Sequence, residues 1–265
     1  MHTELSRSPA VTSDRGRPGL VLAVWAILLA LGASLAPLAQ SLLGVPFQLL
    51  SLVMVAPALA ALVVAVRPEW APAWWPQVAA TRVMVSTAIA LIAVLGFVVA
   101  LILLSGRSLS WPSADVGAPV AVFVAVQIFG VLCEELGWRG VVQRAGEQFA
   151  RPVVVSAVAG FLFGVTHLGY WSLGFMPVLT FAITATLMSL TITTIFTGSL
   201  WQRMLPAVTV HLGVNLGVMA LAEQGEPLAT TSWALAAAIV MLGIAIVGRI
   251  AAKRFHTRTR SQNVR

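Results

Sequence analysis

Long apolar runs, broken at intervals by proline, glycine and charge, set out the plan of this chain. Residues 18–66 contain no charged side chain, and Pro37, Gly44 and Pro46 divide that stretch into apolar segments at 19–40 and 45–66. Further apolar segments occupy 83–104, 152–168, 175–196, 205–221 and 232–247, and another begins near residue 117 and carries Glu134 and Glu135. A helix needs roughly 20 apolar residues to cross a hydrocarbon layer of about 30 Å. The pattern therefore predicts an all-α fold, a polytopic membrane helical bundle of about eight transmembrane helices. The first segment follows Arg15 and Arg17 but is long enough to span and has no convincing cleavage site after it, so a retained helix is expected rather than a signal peptide.

Composition agrees with that reading and removes the soluble alternatives. Of 265 residues, 59% are apolar and only 9% charged, and the mean hydropathy is +0.94, far from the range of soluble domains. Eight spans use nearly the whole length, so the expected organisation is a polar N-terminal tail (1–18), one membrane domain (19–248) and a basic C-terminal tail (249–265), both tails mobile. The single cysteine, Cys133, excludes an internal disulfide, and its place beside Glu134 suits a small packing residue better than a thiolate nucleophile.

The net charge of +7 would suit nucleic acid if the cations lay on one folded face, but they lie in loops and tails. With an even number of spans, all of the 16 Lys and Arg residues except Arg107 fall on one side of the membrane. The excess of cations on the cytoplasmic side of membrane proteins then predicts cytoplasmic N- and C-termini and no nucleic-acid partner. The connection at 67–82, rich in Pro and Trp (Trp70, Trp74, Trp75), reads as an interfacial segment on that side.

Ionisable groups inside apolar runs are costly and mark function by default. Glu135 and Arg139 stand four apart and can pair on one helix face. Glu134 points about 100° away, lacks a counter-ion on its own helix, and is expected to face a cavity that admits water from the cytoplasmic side. His211 and Asn215 share the spacing of four, as do Phe163 and His167. A carboxylate with an imidazole can bind and deprotonate water, and an imidazole with an amide can donate to an oxyanion, which together are the parts for hydrolysing an amide. Glu134 can meet the histidines only if its helix continues past Arg139 to about residue 145. Taken singly, each histidine can instead be a packing residue bonded to a neighbouring carbonyl, and Asn215 can be helix-packing glue.

The motifs Glu134-Glu135-x-x-x-Arg139, Phe163-x-x-x-His167 and His211-x-x-x-Asn215, in this order on successive helices, make the chain resemble the CPBP intramembrane proteases. That family groups eukaryotic CAAX prenyl endopeptidases with bacterial proteins often called Abi or bacteriocin-immunity proteins. The resemblance implies a protease-like core at 117–221. Within it, Glu134 and His167 would activate water, His211 and Asn215 would stabilise the oxyanion, and Glu135, Arg139 and Phe163 would support the site. It leaves open a glutamate protease without cofactor or a zinc enzyme with Glu134, His167 and His211 as ligands. The implied partners are the lipid bilayer and a membrane-associated protein or peptide substrate cleaved near the cytoplasmic face. The compact chain with minimal loops points to a multi-pass protein of a bacterial plasma membrane. Two other readings remain at this point: a non-catalytic immunity or partner-binding membrane protein, and a proton-coupled transporter using Glu134.

Overall fold

The computed structural model describes residues 16–110, 118–222 and 227–262, with side chains of the last helix described through Arg254. Among the described residues eight α-helices follow one another: α1 (Pro18–Leu43), α2 (Ala56–Val66), α3 (Ala80–Ser105), α4 (Val120–Gly146), α5 (Pro152–Val165), α6 (Phe175–Ile195), α7 (Leu200–Leu221) and α8 (Ser232–Gln262). Six are long and apolar enough to cross a membrane, while α5 and the segment Leu52–Val66, which is α2 with the 3₁₀ turn before it, are apolar but shorter than a full span. The architecture is that of a multi-pass membrane bundle with an inverted distribution of polarity. Leu42, Val66 and Leu103 are exposed on its surface, whereas Glu135, Arg139, Gln143, Ser156, Ser189 and His211 are buried inside.

The second and fifth spans fall short of their predicted length for identifiable reasons. Gln40, on α1, donates from Nε2 to Val45 O (2.6 Å) and Leu50 O (2.9 Å) and accepts from Leu52 N (2.8 Å), and Gln127 on α4 donates to Leu49 O (2.8 Å). These two amides satisfy backbone between residues 45 and 52 that a helix would otherwise have to satisfy, so the chain stays irregular there without exposing polar groups to lipid. At the end of α5, Thr166 Oγ1 and His167 Nδ1 both bond Phe163 O, capping the helix before residue 168.

Most of the basic C-terminal tail is helical: α8 continues through Gln262. The run from Arg249 to Gln262 holds no Pro or Gly and includes Ala251, Ala252, Lys253 and Arg254, all strong helix formers, so nothing stops the helix where the hydrophobic pattern ends. The polar N-terminal tail lies outside the described residues up to Arg15.

Arginines stack on indoles at both ends of the bundle. At one end Arg144 stacks on Trp74 (3.4 Å) and Arg203 on Trp75 (3.9 Å), and Gln202 pairs with both backbone groups of Val78. The extended connection before α3 is thereby fastened to α4 and α7. At the other end Arg107 lies over Trp233 (5.6 Å).

Close approach of α5 and α6 depends on small residues. A Cβ on Gly160 would lie 2.6 Å from Ser189 Cβ and 2.8 Å from Thr186 Cα, and one on Gly164 would meet Ala182 Cα. Gly160→Ala should therefore lower stability by about 1–3 kcal/mol through overpacking. Gly243→Ala on α8, where a Cβ meets nothing within 4 Å, should be neutral or stabilise by up to about 1 kcal/mol. Thermal unfolding of both variants in detergent checks the contrast; equal midpoints would mean that α5 and α6 are not in tight contact.

Candidate active site

Two neighbouring acids on α4 converge on one imidazole of α7. Helix α4 does continue past Arg139, reaching Gly146 by way of a π-helical stretch, Leu136–Gln143, that opens directly after Glu135. Such stretches are frequent at functional sites. Glu134 lies twelve residues from the end of α4, about 18 Å, and His211 eleven residues from the start of α7, about 16 Å, at 1.5 Å per residue. The two depths match because α7 begins at Leu200, five residues before its predicted start. Ser199 and Gln202 form a capping box there, so polar residues that read as loop are the helix's first turn.

His211 Nδ1 lies 2.8 Å from Glu135 Oε1, and His211 Nε2 lies 3.5 Å from Glu134 Oε2. Arg139 donates from Nε to Glu135 Oε2 (3.1 Å) and from Nη1 to Ser189 Oγ (2.9 Å). Glu135 is 1% exposed, Arg139 and His211 2%, and Glu134 6%. Glu135 is thus more than the partner of Arg139, the role its spacing predicts. It bridges Arg139 to the imidazole and, with the guanidinium beside it, serves as acceptor, so that Nδ1 of His211 carries the proton. The 100° divergence of the two acids is spanned by one ring, whose two nitrogens face the two carboxylates.

The resemblance joins His167 to Glu134 at the water. His167 stands just beyond α5, and its Nδ1 donates to Phe163 O at 2.7 Å, which leaves Nε2 of the neutral ring as a lone-pair acceptor. Phe163 touches both histidines, its ring centroid 4.6 Å from that of His167 and 5.6 Å from that of His211, and packs edge-on against Trp138 at 5.7 Å. Phe181 and Tyr170 enclose the far side of His167. Asn215 lies one turn beyond His211, half buried, and among the described residues its amide has no hydrogen-bond partner.

Three residues of this site carry no sequence motif: Ser189, which holds Arg139, Ser156, which bonds Ser189, and Thr193, which bonds Ser156. The signal that could have pointed toward them is the run of small residues Ser156, Gly160 and Gly164 at spacings of four, which brings α6 against α5. Cys133 is buried and free of any bridge, as its packing role requires.

Glu134 keeps 8% of its side chain exposed. Two apolar grooves elsewhere, of about 390 Å³ along α3 and α7 and about 470 Å³ along α3 and α8, are lined by none of the seven residues that the motifs single out. A zinc ion held by Glu134, His167 and His211 would need all three side chains around one point. Glu134 and His211 are near enough to share an ion, but among the described residues no group of three His, Cys, Asp or Glu forms such a set, and both ring nitrogens of His211 already face carboxylates. As placed, the three do not make a zinc site.

Residues 116–217 match the family model described as type II CAAX prenyl endopeptidase Rce1-like. The matched segment contains Glu134, Glu135, Arg139, Phe163, His167, His211 and Asn215. No curated protein matches the chain.

Proposed function

We propose that this multi-pass membrane protein is an intramembrane endopeptidase whose water is activated by Glu134 and whose substrate is a membrane-associated protein or peptide cut near the cytoplasmic face. The observation that carries the reading is the buried pair of carboxylates sharing His211, inside the segment that matches the Rce1-like endopeptidases. Two acids at that depth on one imidazole are costly for a scaffold and useful for moving a proton.

In this reading Glu134, with the free Nε2 of His167, holds the attacking water. Glu134 takes a proton from it as the oxygen bonds to the scissile carbonyl carbon. The proton is then shared between Glu134 Oε2 and His211 Nε2, so His211 becomes a donor as the oxyanion develops and, with the Asn215 amide, stabilises it. Collapse of the tetrahedral intermediate breaks the C–N bond and returns the proton to the leaving amine. Glu135 and Arg139 keep the imidazole in register throughout. The protease core is 117–221 within the membrane domain 19–248, both termini are cytoplasmic, and the host membrane is a bacterial plasma membrane; the one-sided distribution of cations supports the orientation.

Mass spectrometry of membranes with and without the protein, mapping new peptide termini, tests the activity. Termini that appear only with the protein, from segments at the cytoplasmic face, are the expected result. An unchanged set of termini, together with an unchanged growth phenotype on removing Glu134, would favour a partner-binding role. Within an active preparation, Asn215→Ala should lower kcat by about 10²–10³-fold, the usual loss for one oxyanion donor, and leave KM within a few-fold. An unchanged kcat would remove Asn215 from the mechanism.

A further inference from the structure

A hydrogen-bonded chain runs from Arg139 behind His211 into α6 and α5. Ser189 on α6 accepts from Arg139 Nη1 at 2.9 Å, and its own hydroxyl proton goes to Ser156 O at 2.6 Å. Ser156 on α5 donates to Ser189 O or Oγ, both at 2.8 Å, and accepts from Thr193 Oγ1 at 2.7 Å. Ser156 and Ser189 are completely buried. Each hydroxyl has one proton, and the proton of Ser189 is engaged by a backbone carbonyl, so its lone pairs are what Arg139 meets. The guanidinium is consequently held at two points, Glu135 through Nε and Ser189 through Nη1, and its planar fork transmits that orientation to Glu135 and on to Nδ1 of His211.

We propose that Ser189 is a positioning residue for His211, acting through Arg139 and Glu135 to fix the ring that faces Glu134. The inference rests on the endopeptidase reading for its kinetic consequence but not for its structural one. Ser189→Ala removes one hydroxyl and leaves Arg139 Nη1 without an acceptor in the interior. Arg139 then turns, and the bond between Glu135 and His211 lengthens. The expected kinetic effect is a fall of about tenfold in kcat with KM unchanged, the scale of a small misplacement of a reacting group.

The experiment has two arms on the full chain in detergent. In the first, kcat and KM of wild type, Ser189→Ala and Ser189→Cys are compared, the thiol being a weak acceptor expected to give an intermediate kcat. Thr209→Ala, on an exposed face of α7 where the hydroxyl bonds only Leu205 O, is the control expected to leave both constants unchanged. In the second, ¹⁵N-histidine labelling follows the downfield Nδ1–H proton signal of His211, assigned by its loss in His211→Asn. That signal should broaden or move in Ser189→Ala and stay in place in Thr209→Ala, with no requirement for proteolysis. An unmoved signal in folded Ser189→Ala overturns the proposal whatever the kinetics, and so does a moved signal with unchanged kcat. If the wild-type protein cleaves nothing, the endopeptidase reading fails by itself, and the signal still decides whether Ser189 orients the ring. Where Ser189→Ala does not fold, Ser189→Cys carries both arms with the same criteria.

Discussion

Glu134→Gln should lower the kcat for cleavage by about 10²–10⁴-fold and leave the protein folded, with an unfolding midpoint equal to or above that of wild type. The size of the loss is that of removing a general base. The amide matches the carboxylate in volume and can keep the 3.5 Å contact with His211 Nε2, but it cannot accept the proton of water. Stability moves in the other direction for a separate reason. Glu134 is 6% exposed, and its only ionic partner among the described residues is His211, which is already engaged by Glu135. Replacing a buried acid that lacks a dedicated counter-ion with a neutral group relieves its desolvation. Loss of activity with retained stability is the signature that a packing role does not produce. Cleavage at the wild-type rate would mean that another group is the base; a large fall in the midpoint would mean that Glu134 holds helices together.

Among the described residues the hydrophobic pattern located the eight apolar helices, six of them long enough to span, and most of their extents, because lipid demands long apolar helices and the chain has few other ways to satisfy its backbone. It failed where side chains substitute for the helix. Gln40 and Gln127 keep residues 45–52 irregular inside an apolar run, and no periodicity announces that two amides will supply the missing bonds. The start of α7 was hidden for the opposite reason: Gln202 and Arg203 are polar because they lie at the membrane surface and cap or stack, yet they are helical. At the site, spacing of four found the pair of Glu135 with Arg139, since such a pair is local. It could not show that Glu135 reaches across to His211, or that Phe163 packs against His211, because those contacts join residues 76 and 48 apart in sequence. The serine chain on α5 and α6 was legible only as small residues at helical spacing, a pattern that specifies close packing without saying which hydroxyl will face a guanidinium.

Arg139→Met, in contrast to the substitution of its near neighbour, should destabilise the fold by about 3–5 kcal/mol, the cost of leaving one member of a buried ion pair without the other. Arg139 is 2% exposed and occupies the junction of three helices, bonding Glu135 on its own helix and Ser189 on α6 while Glu135 bonds His211 on α7. Methionine fills similar volume, so the loss is of charge and hydrogen bonds rather than of packing. Glu135 is then a carboxylate whose remaining partner is an imidazole, and Ser189 loses the donor that engages its lone pairs. Thermal unfolding in detergent should show a midpoint lower by on the order of 10 °C. The double variant Glu135→Gln with Arg139→Met separates the two parts of this effect. Removing the abandoned charge should recover most of the midpoint, since the glutamine carbonyl can still accept from His211 Nδ1, whereas cleavage should stay well below wild type because a neutral acceptor no longer stabilises the ring as it takes up a proton. If Arg139→Met unfolds at the wild-type temperature, the guanidinium is not the counter-ion that keeps Glu135 in the core. If the double variant is as unstable as the single one, the fold depends on the link from Arg139 to Ser189 more than on neutralising Glu135.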